Sequence, residues 1–169
     1  QGPMYLRVAK GNEEPITKSA SIESGLKYEI GKALAFCVGE DALIVTTGVM
    51  LNQALNAAEI LRAAKIGVTV LHFHTLKPFD TEQFAYFAAR ARVIVSVEEH
   101  SIIGGLGSTA AEILAESNSI GNKRFKRMGI ADEFPDEYGS QATLMEKYGL
   151  TTDNIVGTVQ RLLKESANQ

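Results

Sequence analysis

The stretch "VIVSVEEHSIIGGLGSTAAEILAE", Val93 to Glu116, decides how the chain folds. Val93 to Val97 is a short apolar run of β-branched residues broken only by Ser96, the pattern of a buried strand. Ala110, Ala111, Ile113, Leu114 and Ala115 then predict a helix ending near Asn118. Two acids, a histidine and three glycines stand between them. A strand running so soon into a helix is half of a βαβ unit, so the fold turns on whether the alternation continues on both sides.

It does. Upstream, Leu51, Ala54, Leu55, Ala58, Leu61 and Ala64 recur at helical spacing, and "IGVTVLHF", Ile66 to Phe73, follows as a strand. Asp80 with Gln83 makes a capping-box pattern before a helix whose apolar stripe is Phe84, Phe87, Ala88 and Ala91. Downstream, Lys123 to Ile130 reads as the last strand, and Ser140 to Tyr148 as a helix ended by Gly149. A final helix starts at Thr151, with Leu150 and Ile155 as a hydrophobic staple and Ile155, Val156, Val159, Leu162 and Leu163 facing the core.

At the front, Lys32 to Val38 and Ala42 to Thr47 are β-rich runs linked only by Gly39-Glu40-Asp41. That link is too short for a parallel crossover, so the two are expected to pair antiparallel. The fold class is α/β: three layers, with an α/β/α arrangement around a mixed sheet of about five strands, the first antiparallel and the rest parallel. Gly11 to Gly25, "GNEEPITKSASIESG", reads as a linker, and "GPMYLRVAK" before it as a short separate strand. Residues 1–27 are thus expected to be an interdomain strand and linker, and residues 28–169 the α/β domain. A chain opening Gln1-Gly2-Pro3 without methionine reads as a processed product or a fragment of something longer.

Composition narrows the function. The 169 residues are 45% hydrophobic and 22% charged, with net charge −3, a balance suited to one ordinary globular core. No basic stripe is present for phosphate backbones, so neither nucleic acid nor an anionic membrane is an expected partner. No apolar run approaches the ~20 residues of a membrane span. The single cysteine, Cys37, excludes an internal disulfide framework and suits a reducing compartment, with the cytoplasm as the expected setting. It reads as a buried core thiol.

Each candidate motif has a structural alternative. Gly105-x-Gly107-x-x-Ala110 satisfies the dinucleotide fingerprint, and Asp132 lies after the next strand, where a ribose-binding acid would stand. Glu98 to Ile103 nevertheless separate the glycines from their strand, and Glu98 and Glu99 would repel a phosphate, so a structural glycine turn is preferred. Glu98, Glu99 and His100 follow a strand's carboxyl end, where open α/β sheets place ligands, but no nucleophile elbow accompanies them. A polar strand end at a domain or subunit interface is preferred over a catalytic set.

His72 and His74 share a strand face and could be half a metal site, although no third ligand pattern completes it. Thr46-Thr47-Gly48 offers hydroxyls at a helix entry and could hold an anion; such entries are also common without a ligand. Arg7 and Lys10 could clamp a phosphate or carboxylate, or be solvated charge.

Taken in order and spacing, "GPMYLRVAKG", "IGKALAFCVGEDALIVTTGVMLNQALNAAEIL", "VLHFHTLKPFD", "VIVSVEEHSIIGGLGSTAAEILAE" and "RMGIADEF…GS…LMEKYGLTTDNIVGTV" resemble the carboxy-terminal domain of the transketolase-like, thiamine-diphosphate-dependent enzymes. That superfamily includes transketolase, deoxyxylulose-phosphate synthase and the beta chains of 2-oxoacid dehydrogenases. The resemblance covers nearly the whole chain, Gly2 to Leu163. It implies the third of three α/β domains, one that supports a homodimer, while upstream pyrimidine- and diphosphate-binding domains hold thiamine diphosphate and a divalent metal such as magnesium.

The family's Gly-Asp-Gly…Asn diphosphate signature is not in this sequence, nor is the domain bearing the cofactor-activating glutamate, so no catalytic, cofactor or metal residue is assigned here. The resemblance implies that the chain alone is inactive, and that the parent enzyme transfers a two-carbon ketol unit between sugar phosphates. A 2-oxoacid dehydrogenase beta chain, or a stand-alone anion- or nucleotide-binding regulatory domain, is the alternative. Counted from the shared Gly-Pro, the family's substrate-phosphate arginine falls on Lys10, with Arg7 as the substitute candidate. Lysine there departs from the family, offering a point charge in place of a bidentate fork.

Overall fold

A computed structural model describes residues 2–8, 28–117, 121, 123–134 and 138–167. The elements in chain order are β1 (Leu34–Phe36), β2 (Ala42–Thr46), α1 (Met50–Ala63), β3 (Val68–His72), α2 (Thr81–Arg90), β4 (Val93–Ser101), α3 (Leu106–Glu116), β5 (Arg124–Ile130), α4 (Gln141–Lys147) and α5 (Thr152–Ala167). The sheet has five strands in the order β1-β3-β2-β4-β5. β1 is antiparallel to β3, and all other pairings are parallel, as the alternation implied.

Central strands of such a sheet are covered on both faces, so they read as continuous apolar runs while their side chains alternate between two cores. Ala42 and Ile44 of β2 pack with α1 and α5, together with Leu51, Ala54, Ile155 and Val159. Leu43 and Val45 pack on the other face with α2 and α3, against Phe84, Leu106, Ala110 and Leu114. The helix ends follow their sequence signals. Asp80 accepts the Gln83 N–H at α2, Ser140 accepts the Thr143 N–H at α4, and Gly149 takes φ +68° after α4. At α5, Thr151 Oγ1 accepts the Asn154 N–H, with Leu150 and Ile155 both buried.

The first strand is corrected in its partner. β1 pairs with β3, not with the sequence-adjacent β2. Residues 37–41 do not turn back as a hairpin; they cross the start of β3 to reach the far side of it. Gly39 makes this crossing possible, since a Cβ there would lie 2.3 Å from the Gly67 carbonyl carbon. The crossing is stitched by Gly39 N–H to Thr69 Oγ1 (3.0 Å), Thr69 Oγ1–H to the Gly39 carbonyl (2.7 Å) and Gly67 N–H to Asp41 Oδ2 (2.8 Å). Cys37, expected in the core, is exposed at the start of this crossing with φ 50°.

Residues 2–8 carry no regular secondary structure, whereas a short strand was expected there, and the linker Gly11 to Gly25 lies outside the described residues. Among the described residues no helix is long and apolar enough to cross a membrane.

Gly39→Ala forces a methyl group into backbone, which cannot give way as a flexible side chain would. It is expected to lower stability by about 2–3 kcal/mol, read as a shift in denaturant midpoint at unchanged m-value. A midpoint equal to wild type would show that the crossing is not so tight.

Candidate functional site

The carboxyl ends of β2 and β4 lie side by side, and the helices that follow them, α1 and α3, pack on opposite faces of the sheet. Open α/β sheets place ligands at such a divergence. The groups available here come from Thr46 to Gly48, from the end of β4, and from the entry to α3.

β4 is longer than its apolar run. It continues through Glu98, Glu99 and His100 to Ser101, so these residues belong to the strand and do not follow it. Glu98 has no exposed surface, and its carboxylate turns to the start of α3. Leu106 N–H donates to Oε2 at 2.7 Å and Gly107 N–H donates to Oε1 at 2.8 Å. These are two of the four N–H groups that a helix start leaves without intrahelical partners, at the positive end of the helix dipole.

The anion that a glycine fingerprint would cradle is therefore the chain's own side chain. The glycines follow from this packing: a Cβ on Gly105 would lie 2.0 Å from Glu98 Oε2, and one on Gly107 would lie 2.5 Å from Ser96 Oγ. Asp132, the would-be ribose acid, is exposed. Glu98 is thus buried inside the domain, where an interface position was expected.

The loop from Ile102 to Gly105 is closed by its own bonds. Gly104, at φ +73°, donates its N–H to Ser108 Oγ (3.0 Å), and Ser108 Oγ–H donates to the Ile102 carbonyl (3.0 Å). Arg127 Nη1 donates to the same carbonyl (2.7 Å) from β5.

The other helix entry is committed to internal bonds as well. Thr46 Oγ1 and His72 Nδ1 are 3.0 Å apart, and Thr47 Oγ1–H donates to the Phe73 carbonyl at 2.8 Å. α1 begins without a side-chain cap. His72 is buried, and burial first, then the His74 charge, lowers its pKa from 6.5 to about 4. His74 lies beyond the end of β3, so the two histidines do not share a strand face. Its Nδ1 is 3.0 Å from Thr75 Oγ1, its Nε2 is buried without a partner, and burial lowers its pKa.

Neither helix entry fits thiamine diphosphate. Glu98 fills the glycine cradle at the start of α3, and at the start of α1 the Thr46 and Thr47 hydroxyls are bonded internally, to His72 and to the Phe73 carbonyl. No group of three or more His, Cys, Asp or Glu among the described residues is arranged to hold a metal.

Arg7 is brought to the end of β4. Its Nη1 donates to His100 Nε2, and its Nη2 lies 3.8 Å from Glu99 Oε2. Gln141 Nε2, from the first turn of α4, donates to Glu99 Oε1 at 2.9 Å. Burial and the Arg7 charge lower the His100 pKa, against the opposing pull of Glu98 and Glu99. Sequence reasoning linked neither Glu99 nor His100 to Arg7, and it passed over Gln141. Lys10 lies outside the described residues.

A family model described as "Transketolase, C-terminal domain" matches residues 31–155. An uncharacterized transketolase family protein of Sinorhizobium fredii is 37% identical over 166 residues, 98% of this chain and 46% of that protein. A 6-deoxy-6-sulfo-D-fructose transketolase subunit of Clostridium sp. is 39% identical over 155 residues, 92% of this chain and 45% of that protein. Among solved structures, a split-gene transketolase described as an inactive beta4 tetramer is 35% identical with a TM-score of 0.75, covering 85% of this chain and 46% of that one. The chain spans about half the length of these relatives.

Glu98→Ala strands two buried N–H groups and leaves a void. It is expected to destabilise by about 2–4 kcal/mol, and Glu98→Gln, which keeps one acceptor and opposes an amide to the other N–H, by less. Denaturant midpoints of both variants check this, and equal, small losses would count against the bonding described.

His72 supplies an acid limb to stability. Its neutral form is favoured by the fold, so its contribution is complete above pH 6.5 and is lost as pH falls toward 4, about 3 kcal/mol in all. In a pH series of unfolding free energies, His72→Gln should flatten that limb. Parallel wild-type and variant curves between pH 7 and 4 would contradict it.

Proposed function

The chain belongs to the transketolase C-terminal domain family, and from that premise we propose that it is the third domain of a thiamine-diphosphate-dependent enzyme that moves a two-carbon ketol unit between sugar phosphates. The observation that supports this most is similarity across nearly the whole chain to a transketolase subunit that names an anionic ketose, 6-deoxy-6-sulfo-D-fructose, as its substrate. In this reading the domain supports a homodimer and carries no catalytic residue. Thiamine diphosphate supplies the carbanion chemistry and, with a divalent metal, is held by upstream domains.

Residues 1–27 are the segment joining this domain to its predecessor, and residues 28–169 the domain itself. From that segment Arg7 and Lys10 meet the anionic end of the substrate. Arg7 suits the task because its planar fork matches an oxyanion and its side chain remains 52% exposed at the sheet's carboxyl end. The regulatory nucleotide-binding alternative finds no support, since Glu98 already occupies the fingerprint.

The parent enzyme, assayed with thiamine diphosphate and magnesium against ketose phosphates, 6-deoxy-6-sulfofructose and 2-oxoacids, is expected to transfer a ketol unit from an anionic ketose. Turnover confined to 2-oxoacids would overturn the proposal. Arg7→Ala and Lys10→Ala in that enzyme are each expected to raise KM for the anionic ketose about tenfold while kcat moves little, the signature of lost ground-state binding. Unchanged KM in the double variant would remove the pair from the substrate site.

A further inference from the structure

Glu99 and His100 are the two polar residues at the end of β4 that the core does not explain. Glu98 closes α3, and Ser101 Oγ accepts the Ile103 N–H within the loop. Glu99 and His100 turn to a segment distant in sequence, residues 2–8, whose side chains are exposed and which has no regular structure to fix it. Three separate pieces of chain converge there: Arg7 from the segment, Glu99 and His100 from β4, and Gln141 from α4.

We propose that Glu99 and His100 are positioning residues, which hold the Arg7 guanidinium in the orientation in which it receives the anionic group of the substrate; this rests on the substrate-binding reading of Arg7 given above.

An arginine on an irregular segment has many rotamers, and ordering it upon binding would subtract from affinity. Two anchors on separate nitrogens fix the plane of the fork in advance. Nη1 is set by the His100 ring and Nη2 by the Glu99 carboxylate, and that carboxylate is in turn fixed by the Gln141 amide. Arginine carries five N–H donors, so these two contacts leave others for an incoming oxyanion.

The arrangement demands one protonation state. His100 Nε2 accepts from Arg7, so the imidazole is neutral with its proton on Nδ1. The charged groups facing it are Arg7, Glu98 and Glu99. Arg7 and burial favour the neutral ring, and the acids oppose them. A second proton would remove the acceptor and set two cations against each other, releasing Arg7.

The test uses the full-length enzyme loaded with thiamine diphosphate, with fructose 6-phosphate and 6-deoxy-6-sulfofructose as anionic probes and fructose as the uncharged one. Glu99→Ala and His100→Ala are each expected to raise KM for the anionic probes about threefold to tenfold, leaving kcat and the fructose KM within about twofold. Arg7→Ala combined with His100→Ala should be no worse than Arg7→Ala alone, because both act on one contact. His100→Gln keeps an oxygen acceptor and should recover most of the affinity.

The pH profile separates positioning from mere packing. Because burial and the Arg7 charge hold the ring below the usual histidine range, wild-type KM for the anionic probes should rise only as pH falls under that range, relative to His100→Gln, which cannot titrate; taking this ratio cancels the probe's own ionisation. Should Glu99→Ala fail to fold, Glu99→Gln removes the charge at the same size. The positioning role is overturned if Arg7→Ala raises KM while the Glu99 and His100 variants stay within twofold of wild type. If Arg7→Ala itself leaves KM unchanged, the substrate-binding reading falls, and positioning falls with it.

Discussion

A carboxylate with no access to water, bonded to two helix N–H groups, is the contact on which this end of the domain depends. A buried carboxylate is tolerable only when its lone pairs are met by donors, and a helix start offers donors that nothing inside the helix can satisfy. Glu98 and α3 solve each other's problem, at 2.7 and 2.8 Å. The glycines then become obligatory: Gly105 because a Cβ would overlap the carboxylate, Gly107 because α3 lies against Ser96 and Arg127. What resembles a nucleotide fingerprint is the imprint of close packing around an internal anion.

The same logic governs the opposite end of the sheet. β1 must reach the edge beyond β3 while its chain neighbour β2 lies at the centre, so residues 37–41 have to pass over the start of β3. Backbone then rests on backbone at Gly39 and Gly67, and the polar groups exposed by the crossing are met by Thr69 and Asp41. Both ends of the sheet are thus shaped by glycines that remove volume and by side-chain oxygens that replace missing backbone partners.

Most of the fold was legible because its signals are local. Asp80, Ser140, Thr151 and Gly149 mark helix ends by the bonds that their own side chains or dihedrals make, and the apolar runs of β2, β3 and β4 announce strands covered on both faces. Pairing is not local. The three residues Gly39-Glu40-Asp41 look like a hairpin link, and nothing in them shows that β3, supplied later in the chain, will insert between β1 and β2. Cys37 misled for the same reason, since it ends an apolar run but lies on the crossing and outside the core. Arg7 was legible as a candidate, through its charge near a Gly-Pro, whereas its partners were not: Gln141 is separated from Glu99 by more than forty residues, and such a contact leaves no spacing to read.

The division of labour between Glu98, Glu99 and His100 follows from a break in strand geometry. In a regular strand consecutive side chains point to opposite faces, so neighbours such as Glu99 and His100 would not be expected to meet a common partner. The pairing of β4 with β5 shifts register between Val97 and Ser101, and such an irregularity re-aims side chains locally. Glu98 still turns inward to α3, but Glu99 and His100 both reach Arg7. The shift also explains why the polar residues could stay within the strand: β5 continues the ladder beyond it, with Ser101 opposite Ile130, so the backbone of residues 98–101 remains anchored while the side chains are redirected. A loop of the same sequence could place one of these groups by chance. An anchored, irregular strand end holds both, and that rigidity is what a segment with no structure of its own requires of the surface it docks on.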